Sequence, residues 1–228
     1  MIELNKIYNM DCLVGMRDIP DKSIDMVLID PPYLMNYKSN RRVKSKKFEH
    51  IINDKDSQEV IRESLFQINR VMKDNTSIFM FCSWHHIDFF KVEFEKYFKL
   101  KNIIVWEKNN HGTGDLKGAY APKHEFVLFG GKGRNTNRRN RRADIVKYDK
   151  VSSKRLLHPT EKNLKMVSDF IEDYSNGNDI VLDCFMGSGT TAIACINTNR
   201  NYIGYELDET YFNIANQRIK NLEVNDGE

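Results

Sequence analysis

Ile24-Asp25-Met26-Val27-Leu28-Ile29-Asp30-Pro31-Pro32-Tyr33 is the stretch from which the rest of the chain is read. Its first six residues are nearly all apolar, the pattern of a strand buried on both faces of a parallel sheet. Two prolines then stop the strand, because neither donates a ladder hydrogen bond and each fixes its own φ. An acid and an aromatic ring are thereby held just past a strand's carboxyl end, where open α/β sheets place ligands. Taken alone, the tetrapeptide is equally well an ordinary strand stop with a surface tyrosine. The flanking chain separates the two readings.

Upstream, residues 5–9 form a short strand that ends at Met10-Asp11-Cys12. Downstream, Ile61, Leu65, Ile68 and Met72 recur at helical spacing and predict an amphipathic helix over 58–72. Strands are predicted at 76–82, 101–107 and 125–129, with a helix carrying Ile87, Phe90 and Phe94 after the first of them. The strand at 125–129 follows its neighbour through a glycine-bearing loop rather than a helix, so it is expected to run antiparallel, closed by Gly130-Gly131. A helix with Leu164, Val167 and Ile171 precedes strand 180–184, which is followed by a loop, a helix, strand 202–206 and a last helix. Seven strands alternating mostly with helices predict one domain over 1–228: a doubly wound, mostly parallel seven-stranded α/β sheet with one antiparallel strand.

The length suffices for one sizeable core. No apolar run approaches the roughly 18–20 residues of a membrane span, and the N-terminus is not read as a signal peptide. Four cysteines without a CxxC pair point to reduced thiols in a cytoplasmic protein. Cys82 with His85 and His86 lacks a fourth ligand and an established zinc spacing, and no metal is expected. The net charge is only +3, but residues 37–47 carry six Lys or Arg and no acid, and 131–157 carry ten against two acids. That asymmetry fits a polyanionic partner better than a uniformly solvated surface. The two stretches are read as a basic mobile loop (34–56) and a short basic insertion (131–157).

Strand 180–184, the turn Gly187-Ser188-Gly189, a helix and then Glu206 at the end of the next strand form a nucleotide-cofactor arrangement. A carboxylate at that place accepts hydrogen bonds from free ribose hydroxyls. Only a short stretch follows Glu206, which favours a small adenosine cofactor over a dinucleotide, yet spacing alone leaves nicotinamide and S-adenosylmethionine both open.

The whole set, Asp30-Pro31-Pro32-Tyr33, then His158-Pro159-Thr160-Glu161-Lys162, then Asp183-Cys184-Phe185-Met186-Gly187-Ser188-Gly189-Thr190-Thr191, resembles the amino-methyltransferases of DNA. The order, catalytic motif before cofactor motif, resembles the permuted β group of that family. The resemblance implies a DNA methyltransferase using S-adenosylmethionine, of the kind found in restriction-modification systems. The Asp-Pro-Pro-Tyr form implies adenine N6 as the acceptor. It further implies that Asp183, Phe185, Gly187 and Gly189, with Ser188 and Thr190 in the same loop, shape the pocket for the methionine part. Glu206 would hold the ribose, Asp11 and Cys12 would border the cofactor's adenine, and His158, Thr160 and Lys162 would close the cofactor site from the other half, with Asp30 also at the cofactor. Asn163 departs from the family, which commonly has a proline there, and only a local change in the helix start is expected. Residues between Gly130 and His158 correspond to the target-recognition segment. Dimers are frequent in the resembled group.

An exocyclic amine is a poor nucleophile because its lone pair is delocalised into the ring. On this reading Asp30 accepts one amine hydrogen and the Pro31 carbonyl the other, with Pro32 stiffening the loop. The base must leave the duplex to be reached, with Tyr33 stacking on it. Lys38, Arg41, Arg42, Lys44, Arg138, Arg139, Arg141 and Arg142 are the expected phosphate contacts. The alternatives are methylation of cytosine N4, a nicotinamide oxidoreductase and a non-catalytic DNA-binding module. Trp84 and Trp106 are read as rim or core aromatics.

Overall fold

A computed structural model describes residues 2–34, 57–112, 117–139, 141–150 and 161–225. The expectations for Lys38, Arg41, Arg42, Lys44, His158 and Thr160, and for the loop 34–56 beyond Leu34, lie outside the described residues.

Eight strands among the described residues form one sheet. They are β1 (Lys6–Asn9), β2 (Ile24–Ile29), β3 (Met72–Cys82), β4 (Lys99–Glu107), β5 (His124–Lys132), β6 (Ile145–Lys147), β7 (Ile180–Asp183) and β8 (Asn201–Glu206). Their order is β1-β8-β7-β2-β3-β5-β4-β6, and β5 alone runs antiparallel to its neighbours. The fold class and the antiparallel strand are as expected. The strand count is not: β6 is an eighth strand inside the basic segment, paired to β4 through Val105↔Ile145 and its two successors. Three residues with one buried side chain, Val146, give too short a pattern to be read as a strand.

Alternation along the strands divides the core in two. Met26, Leu28, Phe79, Phe81 and Val181 face helices α4 (Leu164–Tyr174), α5 (Thr190–Asn197) and α6 (Glu209–Asn225). Val27, Ile29, Ile78, Met80 and Leu182 face α1 (Cys12–Gly15), α2 (Ser57–Val71) and α3 (Ile87–Glu95). Ile61, Leu65 and Ile68 of α2 are fully covered. Each contributes roughly 1.5–3 kcal/mol relative to exposure. Trp106 is buried in the first core and Trp84 sits exposed on the rim, as read.

Two local expectations are corrected. Gly130 and Gly131 do not close β5 but lie within it: a Cβ on Gly131 would run into the Thr76 carbonyl, and one on Gly130 into the Lys99 carbonyl and the Phe94 ring. They permit close strand approach. The predicted helix over 58–72 ends at Val71, and β3 begins at Met72, earlier than Thr76. The β2–β3 register slips between Ile24 and Met26, and Asn75, at φ 61°, lies in the β3 stretch opposite the slip.

Asp25 explains how an acid fits in a buried strand. Its carboxylate accepts from the Ile180 amide at 3.0 Å and pairs with Lys73 at 2.6 Å, fastening the start of β7 to β2.

Candidate active site

From the central pair β7 and β2 the chain departs in opposite directions, β7 through α5 to β8 and β2 through α2 to β3. This is the topological switch point of the sheet, where a crevice opens beyond the strands' carboxyl ends. Asp30 follows β2, Asp183 ends β7 and Glu206 ends β8, so three carboxylates from distant parts of the sequence share one edge.

The cofactor-type loop is tied at both ends. Asp183 accepts from the Phe185 amide at 2.9 Å and from the Thr191 hydroxyl at 2.6 Å. Burial pushes its carboxyl up to about 7. Glu206 accepts from the Gly187 amide at 2.7 Å and the Asp208 amide at 2.8 Å, and burial raises its pKa. Gly187 and Gly189 have φ of 55° and 84°, and Gly189 opens α5. A Cβ on Gly189 would come within 2.9 Å of Ala215. Ser188 is held by Arg218, which also pairs with Glu161 at 3.1 Å. Thr190 is buried in the first turn of α5. Asp11 caps α1 by accepting from the Leu13 amide at 2.8 Å, and Cys12 is buried 3.7 Å from the Ser64 hydroxyl. Both follow β1, whose Asn9 pairs with Glu206.

Lys162 reaches the loop after β2. Its ammonium lies 2.9 Å from Asp30, 2.7 Å from the Tyr33 hydroxyl and 3.0 Å from Glu125. An ammonium has three hydrogens, and these three acceptors take them all. The Tyr33 hydroxyl donates in turn to the other oxygen of Asp30 at 2.6 Å. Glu125 is also paired with Lys108. Lys162 is therefore part of the Asp30 cluster and not merely a lid on the cofactor. Burial raises the Asp30 carboxyl, with Lys162 opposing, whereas two ammonium groups overcome burial at Glu125 and hold it at about 2. Burial lowers and the two carboxylates raise Lys162, with a net upward shift that keeps it cationic. Burial, aided by Asp30 and Glu125, pushes the neighbouring Cys82 thiol up to about 12, so it stays protonated and inert as a nucleophile.

Glu125 and Lys108 escaped sequence reading. The only signal was an acid at the start of a strand expected to run antiparallel, whose beginning must then lie at the edge that holds Asp30. The Trp106↔Glu125 pairing puts it there.

Asn163 caps α4 by accepting from the Met166 amide at 3.0 Å, while its amide donates to the Asp149 carbonyl at 2.8 Å. The departure from proline thus changes only the helix start.

Three of the arginines expected on phosphates also make contacts within the protein. Arg139 pairs with Asp169 and Glu172 at 3.0 Å each, and Arg142 with Asp169 at 3.1 Å and Asp173 at 2.9 Å. Arg138 bonds the Thr136 carbonyl and the Asn135 side chain, and its own amide donates to the Asp173 carbonyl. These three fasten the segment after β5 along α4. Arg141 is exposed.

The DNA methylase family matches residues 24–217 of the chain. The type II methyltransferase M2.MboI of Moraxella bovis is 29% identical over 95% of this chain and 88% of its own length. The M1.HpyAVI structure, solved as a SAM complex, superposes with a TM-score of 0.71 at 29% identity, covering 93% of this chain and 98% of that one. The cytosine-N4-specific PvuII DNA methyltransferase, at 16% identity, shares the fold with a TM-score of 0.73, covering 93% and 85% of the two chains. The site fits the cofactor of such enzymes: the glycines keep the loop free of side chains, and Glu206 retains lone pairs for ribose hydroxyls. With Asp30-Pro31-Pro32-Tyr33 and the Gly187–Gly189 loop at the switch point, this chain belongs to the DNA methylase family, the amino-methyltransferases of DNA that use S-adenosylmethionine.

Proposed function

We propose that the chain methylates the N6 amine of adenine in double-stranded DNA, taking the target base out of the helix. The observation that carries this reading is Asp30, a carboxylate rather than a serine hydroxyl, set one strand from the cofactor loop and oriented through both of its oxygens.

S-adenosylmethionine, when bound, supplies a methyl group already made electrophilic by its sulfonium. The protein's part is positioning and charge placement. Asp30 accepts one amine hydrogen and the Pro31 carbonyl the other, which favours a pyramidal nitrogen with its lone pair free. As the nitrogen becomes positive, the Asp30 carboxylate stabilises the growing charge. Tyr33, fixed through its hydroxyl, gives a half-buried ring at the rim on which an extruded base stacks. Pro31 and Pro32 keep this geometry from relaxing. The basic stretch 37–47 and the exposed Arg141 supply phosphate contacts, with the charge for salt-dependent binding.

The test is incubation with labelled S-adenosylmethionine and DNA of varied sequence, followed by nucleoside mass spectrometry. N6-methyladenine is the expected product, lost in Asp30→Ala. N4-methylcytosine as the sole product, or undiminished transfer by Asp30→Ala, overturns the reading.

A further inference from the structure

Asp30 is not an isolated acceptor. A line of alternating charge runs from it along the same edge of the sheet: Asp30 to Lys162 at 2.9 Å, Lys162 to Glu125 at 3.0 Å, and Glu125 to Lys108. The four groups come from the end of β2, the approach to α4, the start of β5 and the residue after β4. All are largely covered, Lys162 at 7% side-chain exposure and the others at 14–20%, so solvent screens them weakly. Lys162 divides its hydrogens between Asp30, Tyr33 and Glu125, and what one carboxylate gains from that ammonium the other loses.

We propose that Glu125 is a positioning residue for methyl transfer: held by Lys108 and acting through the shared ammonium of Lys162, it sets how strongly Asp30 accepts the amine hydrogen of the base. The proposal rests on Asp30 being that acceptor. With Glu125 in place, Lys162 neutralises Asp30 only partly, and Asp30 keeps the basicity to draw on the amine. Without it, the ammonium leans wholly on Asp30 and weakens it as an acceptor. Removing Lys108 does the reverse, because Glu125 then pulls Lys162 towards itself. The other groups facing Asp30 are Tyr33 from its own loop, Cys82 from β3 and Asp183 from β7, and these are unchanged in either variant.

The test compares Glu125→Gln with Lys108→Met, two substitutions with opposite expected signs. Single-turnover methyl transfer to DNA is followed against pH. In Glu125→Gln the acid limb moves to lower pH by about one unit, and the rate at neutral pH falls about tenfold with KM for DNA and cofactor unchanged. In Lys108→Met the limb moves to higher pH, and Glu125→Asp restores most of the wild-type profile. A second readout needs no turnover: with 13C-carboxylate-labelled aspartate, the Asp30 resonance, identified by its loss in Asp30→Asn, titrates lower in Glu125→Gln and higher in Lys108→Met. An unmoved Asp30 midpoint in both variants, or movement in the same direction, overturns the inference. If the wild type transfers no methyl group to any DNA, the proposed function fails on its own account, while the Asp30 titration still decides this one.

Discussion

The ammonium of Lys162 sits 2.9 Å from the carboxylate of Asp30, joining the start of α4 to the end of β2 across the catalytic edge. Because the same ammonium lies between Asp30 and Glu125, it is the charge that opposes the effect of burial on both acids. Removing one partner of a buried ion pair typically costs about 3–5 kcal/mol.

Lys162→Met is therefore expected to destabilise the protein by about that amount near pH 8. The sign with pH follows from the two carboxylates. Left without their shared cation, both carboxyls have higher folded pKa values than in the wild type, so the penalty shrinks as pH falls and one acid takes up a proton. Urea denaturation at pH 5 and pH 8 checks this, and an equal penalty at both would rule it out.

Asp183, pushed up to about 7 by burial, has a folded pKa above its unfolded value near 4. Its contribution to stability is complete below about pH 4 and is lost as pH rises to about 7. Asp183→Asn keeps an acceptor for the Phe185 amide and lets the Thr191 hydroxyl turn to accept. The variant is thus expected to gain on the wild type between pH 4 and 7 and to run parallel with it above. Paired denaturation curves across that range measure the difference.

Arg139 and Arg142 are committed to Asp169, Glu172 and Asp173 on α4, and Asp169 is held at about 2 by its partners against the effect of burial. Replacing either arginine by alanine is expected to lower stability by about 1–3 kcal/mol and to leave the salt dependence of DNA binding unchanged. Arg141→Ala is expected to do the opposite, sparing stability and reducing the slope of log affinity against log salt by about one. Thermal melts and salt titrations of DNA binding separate the two kinds of arginine.

Much of the molecule was open to sequence reading because its signals are local. Apolar periodicity in 24–29, 58–71 and 180–183 reflects burial that each segment carries in its own spacing. Asp-Pro-Pro-Tyr and the Gly187–Gly189 turn announce backbone shapes that few other residues adopt. The antiparallel sense of β5 followed from a connection without a helix. What the chain could not show in one dimension were the relations between segments. Glu125 is a strand residue like any other until the β4–β5 register brings it to the catalytic edge. Lys162 is one residue of a motif until α4 lays it against Asp30 and Tyr33. The arginine cluster carries the same charge in sequence whether it meets phosphates or α4, and only packing assigned three of its members to the helix. Local pattern determined the strands, the turns and the order of motifs. Tertiary structure decided which charges meet, because Coulombic coupling depends on distance and burial, and neither is written in sequence separation.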